Sequence, residues 1–245
     1  MNDVIGLLKS HRSIRKFSDQ QIPHELFLEL IRCGQQAATS NHVQACTVIH
    51  VTRQDVREQM AELAGGQHYI KGCSHFLVFC ADTKRSLEAA GRAGADVTSG
   101  TTEQLLVATV DTALFAQNVA IAAESSGLGI CYIGGLRNDP QRVSELLGLP
   151  DLVYPVFGMC LGYAEQDPET KPRLPLSAVL KTDEYSDAED KALVGEFDET
   201  MQRYYQQRSG GTKDSNWSLE LRPLFSEKLR MHMKGFLQRR GLMTD

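Results

Sequence analysis

Residues 103–126, EQLLVATVDTALFAQNVAIAAESS, carry the longest helical pattern in the chain. Apolar residues occupy nearly every side of that helix, which predicts an element lodged in a core and not one floating on a surface. Asp111, Gln117 and Asn118 interrupt the run, so it makes a poor membrane span. GLG at 127–129 supplies the stop. A helix of this kind needs other layers to bury it, and the rest of the chain must provide them.

The flanking segments alternate between helical and extended patterns. Residues 3–9 read as a short helix. A second begins at Pro23, a residue suited to a first turn, and runs through HELFLELIRCGQQAA, with Leu26, Leu30, Ile31 and Cys33 on one face. CTVIHVTR at 46–53 reads as a strand, DVREQMAELAGG as a helix closed by Gly65-Gly66, and HFLVFCAD at 75–82 as a buried strand. Residues 83–102, richer in Gly, Ala, Ser and Thr, read as an excursion. CYIGGL at 131–136 is a strand entering a glycine turn, QRVSELLGL a helix opened by Asp139-Pro140, and LVYPVFGMCLGY at 152–163 a long strand. A polar, proline-punctuated loop follows at 164–175. Two amphipathic helices then span 189–208 and 218–240, split by SGGTKDSN. The spacing is not the regular beat of a doubly wound parallel sheet. It predicts an α+β fold, a sheet packed among helices with a helical tail.

The chain has 245 residues and a formal net charge of -5. That balance argues against nucleic acid or an anionic membrane as the main partner. It also makes a local basic cluster point to a small anion. MNDVIGLLKSH lacks the basic and apolar regions of a secretion signal, which points to the cytoplasm. None of the six cysteines forms a CxxC pair, and several lie in apolar runs, so they read as reduced core thiols.

The chemistry-bearing pieces are basic or glycine-rich and far apart in sequence. The chain has no Walker-type phosphate loop, no GxGxxG after a strand, no HExxH and no GxSxG; its histidines are not set at metal-ligand spacing. HRSIRKF at 11–17 gathers His11, Arg12, Arg15 and Lys16 around Ser13, where guanidinium groups and a hydroxyl can converge on phosphate oxygens. TKPRLP sets Lys171 and Arg173 two apart in a loop stiffened by prolines; in an extended stretch they point the same way. YIGGLRN ends a strand in Gly134 and Gly135, which lets a planar ligand approach bare backbone. GGQHY places Gln67 and Tyr69 in a turn. Each piece alone is compatible with a solvated surface or an ordinary turn.

Together they resemble one family. HRSIRKF, GGQHY, the 103–138 stretch ending in YIGGLRN, LLGLP, PVFGMCLGY and KPRLP are similar, in order, to the flavin-dependent nitroreductase superfamily. The likeness is to its branch of oxygen-insensitive NADPH nitroreductases and NADPH–flavin oxidoreductases. The resemblance implies a mostly antiparallel sheet among helices, with an FMN-binding core over 1–180 and a helical extension over 181–245. It implies a homodimer that binds FMN and takes hydride from NADPH by a ping-pong cycle. The electrons then pass to a small-molecule acceptor such as a nitroaromatic, a quinone or free flavin.

Carried over by position, His11, Arg12, Ser13 and Arg15 resemble the first FMN-binding segment, with Arg15 nearest the N1/O2 edge of the ring. Lys171 and Arg173 would reach the phosphate. Ile133, Gly134 and Gly135 would lie near N5, and Thr39, Ser40, Gln67 and Tyr69 would line the ring or ribityl chain. Arg208 and Lys213, either side of a Gly-Gly turn, resemble the mobile basic loop that contacts the 2′-phosphate of NADPH. No side chain is implied as a catalytic acid, base or nucleophile, and no metal. Two other readings share the same residues: a flavin-binding or flavin-sensing protein with little turnover, and a module for another phosphorylated metabolite.

Overall fold

Four strands, Cys46–Val51 (β1), His75–Asp82 (β2), Gly129–Ile133 (β3) and Val153–Gly162 (β4), form one antiparallel sheet in the order β1-β2-β4-β3. The computed structural model describes residues 3–226 and 229–245. β2 and β4 lie in the middle and are buried at almost every position, which explains their continuous apolar runs. Their alternating side chains feed two cores. Phe76, Val78 and Cys80 face one way with Cys131, Ile133 and Cys160, toward Gln54–Leu63 (α3), Tyr69–Gly72 (α4) and Pro140–Leu147 (α7). Leu77, Phe79, Ile130, Met159 and Leu161 face the other, toward His24–Gln35 (α2) and Thr102–Ser125 (α6). Sheet and helices thus make three layers.

α6 is the element that organises the second core. Thr101 and Gln104 cap it reciprocally, and Ala116, Val119, Ala120 and Ala123 lie against the sheet. α2 crosses close by at Gly34, where an added Cβ would fall 2.3 Å from the Phe115 ring and 2.7 Å from Val119. The expectation of a helix buried on nearly all sides is corrected. One stripe, Leu106, Val110 and Leu114, faces outward with 56%, 55% and 44% of its surface exposed. Among the described residues α6 is the one helix long and apolar enough to cross a membrane by length and composition; here its inner face packs on the sheet.

Two further expectations are corrected. Residues 83–102 contain a helix, Lys84–Arg92 (α5), with no buried residue; its start is fixed by Thr83, which donates to the Leu152 carbonyl. The second tail helix is not continuous over 218–240. Trp217–Ser226 (α10), which holds Pro223, is separate from Met233–Arg239 (α11). α11 buries Phe236 and Leu237 with Tyr154, Val156 and Ala108.

The chain divides into two compact units. One runs to Pro168 and resumes over His232–Asp245; the other is Glu169–Met231. The second contains Leu176–Val179 (α8), Asp190–Arg208 (α9) and α10. It is built on a small core of Phe197, Met201, Tyr204 and Tyr205, with Leu174 and Trp217 against it. A short helix, Asp3–Lys9 (α1), opens the first unit with no buried residue.

Candidate functional site

Residues 11–17 are extended and stitched to the end of the sheet. Ile14 N–H donates to the Ile130 carbonyl at 2.8 Å, Ser13 bridges Ile130, and Phe17 bridges Ala164. Two glycines make room for this strand-like segment. A Cβ at Gly129 would meet Ile14 at 2.6 Å, and one at Gly162 would meet Phe17 at 2.8 Å. Ile14 is therefore buried, while Arg15 stays exposed.

From there Arg15 reaches the turn after α3. Its positive charge acts on the Tyr69 hydroxyl. Burial pushes that phenol above its usual range, as does the nearby Cys131, while Arg15 pulls the other way. Burial likewise raises the Cys131 thiol against the pull of Arg15. Tyr69 donates to Gln67 Oε1 at 2.7 Å, and Gln67 Nε2 donates to the Ala64 carbonyl at 2.9 Å. The turn itself depends on Gly65 and Gly66, whose φ values of 84° and 78° few other residues adopt. Gly135, in the tight turn after β3, packs on the same Ala64: a Cβ there would lie 2.6 Å from the Ala64 oxygen. Tyr69, Gln67 and Gly135 thus connect through Ala64, and the charge of Arg15 acts on Tyr69 and Cys131 beside them. Ile133 is fully buried, and Gly134 is half-buried.

Two other basic side chains of the first segment have acidic partners. His11 Nδ1 lies 2.6 Å from Glu124 Oε1 and Arg12 Nη1 lies 2.8 Å from Asp167 Oδ1. Arg12, Glu124 and Asp167 line a cleft of about 370 Å³ that also includes Leu7, Ser10 and Gln166. Glu124, Asp167 and Cys131 carried no signal as site residues in the sequence.

Thr39 and Ser40 are positioned by α6. Buried Asp111 accepts from Ser40 N–H at 3.0 Å and from Ala45 N–H at 3.2 Å. Between them, Asn41, His42 and Gln44 hold φ values of 46°, 59° and 54°, the left-handed region that non-glycine residues enter at a cost. Asp111 stood out in the sequence as an interruption of the apolar helix, and this is what it does.

In the second unit, Lys171 and Lys213 meet over one ring. Their Nζ atoms lie 5.6 Å and 4.3 Å from the centroid of Tyr205. Arg173 folds back, Nη1 donating to the Lys171 carbonyl at 2.9 Å. Arg208, in the last turn of α9, makes a long contact of 3.5 Å with the Tyr204 hydroxyl. Tyr205 was not legible as a partner of either lysine.

A small antiparallel sheet between two helical layers, with an arginine-and-glycine cluster at one end, defines a class, and comparison names it. The Nitroreductase family model matches residues 8–163, and its C-terminal domain model matches residues 171–245. The chain belongs to the nitroreductase family. It is 41% identical over 238 residues to a Cr(VI) reductase of Pseudomonas sp. strain G-1, covering 97% of this chain and 98% of that protein. The structure of NfrA1 from B. megaterium superposes with a TM-score of 0.95 at 38% identity, covering 99% of this chain and all of that one. The NADPH:FMN oxidoreductase from Vibrio harveyi, solved with NAD+, superposes with a TM-score of 0.91 at 38% identity over the full length of both.

Proposed function

We propose that this chain is an FMN-dependent enzyme that takes reducing equivalents from NADPH and delivers them to small acceptors in a ping-pong cycle. At the coarser level it is an NADPH-dependent oxidoreductase. The observation that carries the finer reading is the linked set Tyr69–Gln67–Ala64–Gly135, with the charge of Arg15 acting on Tyr69. The same set includes a glycine step whose first member is open, and Arg15 is exposed to solvent. A Cβ at Gly134 would meet only the far end of Arg137, at 3.4 Å. Such a ledge suits a flat polar ring, and the donor set suits one that gains negative charge.

When bound, FMN supplies the hydride chemistry, accepting two electrons from a nicotinamide and releasing them to a second substrate. The residues of this chain do the rest. Arg15 would set its guanidinium charge against the ring edge that becomes electron-rich. Tyr69 and Gln67, hydrogen-bonded to each other, close that side. Lys171 and Arg173 serve the phosphate, which carries about -1.5 to -2 charge. Asp111 holds Thr39 and Ser40 as a preformed wall. Arg208 and Lys213 receive the 2′-phosphate of NADPH. The Cr(VI), flavin and nitro chemistry in relatives' names supports a permissive acceptor site, taking nitroaromatics, quinones or flavins.

The working unit is a homodimer. Support comes from the outward stripe of α6 and from Val4, Ile5 and Leu8 of α1, which are about half exposed. The direct test is spectroscopic. The purified protein is expected to be yellow and to bleach anaerobically with NADPH, and Arg15→Ala is expected to lose about 1.5–3 kcal/mol of FMN affinity, one charge-assisted bond. A colourless protein that FMN cannot reconstitute would overturn the reading.

A further inference from the structure

The loop after α9 fixes an ammonium group and then neutralises it from within the chain. Lys213 N–H donates to Ser209 Oγ at 2.8 Å, and Asp214 accepts from Gln202 Nε2 at 2.8 Å, so the loop is tied to α9 on both sides of the lysine's backbone. Lys213 Nζ, lying over Tyr205, pairs with Glu220 Oε2 at 2.9 Å. The other oxygen of Glu220 accepts from Ser215 Oγ at 2.6 Å. Hydrogen bonds from Ser215 and then Lys213, with Lys171 adding its charge, hold this carboxyl below the usual glutamate range. It stays ionised at neutral pH.

A hydroxyl on one oxygen, an ammonium on the other and a second lysine in the field are the donors a phosphate monoester would use. Glu220 occupies that anion position. We infer that Glu220 is an internal competitor for the 2′-phosphate of NADPH, which must displace the carboxylate from Lys213 and Ser215 to bind. This rests on the reading of Lys213 given above. It makes Glu220 a specificity-determining residue. The carboxylate weakens NADPH relative to an unopposed ammonium and keeps Lys213 from pairing with passing anions. A nucleotide without the 2′-phosphate does not feel it.

The full-length holoenzyme is titrated with adenosine 2′,5′-bisphosphate and with adenosine 5′-monophosphate, by calorimetry and by tryptophan emission. Trp217 is the sole tryptophan and lies between Ser215 and Glu220, its ring 5.7 Å from that of Phe197, so its emission reports this corner. Glu220→Gln keeps an acceptor for Ser215 and removes the charge. It is expected to bind the bisphosphate about two- to five-fold more tightly, the size of one exposed ion pair. Monophosphate binding should not change, and the gain should vanish in a Lys213→Ala background. If Lys213→Ala leaves bisphosphate affinity at the wild-type value, the reading of Lys213 falls and this inference with it. If Lys213→Ala weakens binding but Glu220→Gln matches wild type, or tightens both nucleotides equally, the competitor role alone is overturned.

Discussion

Gly134 and Gly135 are neighbours with different reasons to be glycine. At Gly135 a methyl group would strike backbone, the Ala64 oxygen at 2.6 Å and its Cα at 2.9 Å, and backbone cannot swing aside. Gly135→Ala is therefore expected to destabilise the fold by about 1–3 kcal/mol, measured by chemical denaturation. At Gly134 the nearest atom, in the Arg137 guanidinium, is 3.4 Å away, an ordinary contact, so Gly134→Ala should leave stability within about 0.5 kcal/mol of wild type. If a flat cofactor rests on that step, the same change releases flavin on dialysis. A variant that keeps its flavin removes Gly134 from the site. At this scale the sequence was legible where the information is local. HRSIR, GGQHY and IGGL announce donors and bare backbone within a few residues. What pairs with them was not legible, since Glu124 lies 113 residues from His11 and no local pattern links the two.

Elements were legible where apolar periodicity drives them. All four strands and the long helix follow from their patterns, because burial dictates both. α5 was missed for the opposite reason. No residue of it is buried, and it is held by polar bonds, local ones such as Ser86 Oγ to the Thr83 carbonyl at 3.0 Å and distant ones such as Arg85 Nη1 to the Cys46 carbonyl at 3.2 Å, which leave no apolar period to read. The second tail pattern, 218–240, is amphipathic throughout, so its periodicity alone does not separate α10 from α11. The strand order, with β4 between β2 and β3, was not legible either, since register says nothing of which strand is adjacent. α6 also carries a prediction. Asp111 tethers the strained segment 39–45 to the helix through two backbone N–H groups. Asp111→Asn keeps an acceptor for one of them and turns an NH2 group toward the other. The expected loss is about 1.5–3 kcal/mol of stability. Faster amide exchange at Ser40 and Ala45 should accompany it, while β2 stays protected. Unchanged exchange there would mean the segment is held by something else.

For the molecule as a whole, two observations bear on stability and assembly. His50 and His75 stack with ring centroids 4.6 Å apart and Phe27 against both, with His24 and Arg57 as the neighbouring charged or titratable groups. Burial, then the charges of His50, Arg57 and His24, lower His75 to about 4. The unfolded chain therefore binds protons near pH 6.5 that the fold refuses, so stability is full above that pH and falls toward pH 4. The loss is expected to be on the order of 2 kcal/mol, allowing for solvent at the half-buried rings. Denaturation at pH 7 and pH 4.5 measures it, and His75→Gln should flatten the difference. Assembly follows from the apolar surface. A seven-residue helix is not stable alone in water, yet α1 buries nothing and displays Val4, Ile5 and Leu8. In the same unit, α6 displays Leu106, Val110 and Leu114 at successive turns. A two-fold copy would cover such a stripe with itself, each side chain contributing about 1.5–3 kcal/mol when fully buried. Val110→Asp enters both halves of a symmetric contact and is expected to convert a sedimenting dimer into a monomer. A wild-type protein that sediments as a monomer with flavin bound would show that the stripe serves some other purpose.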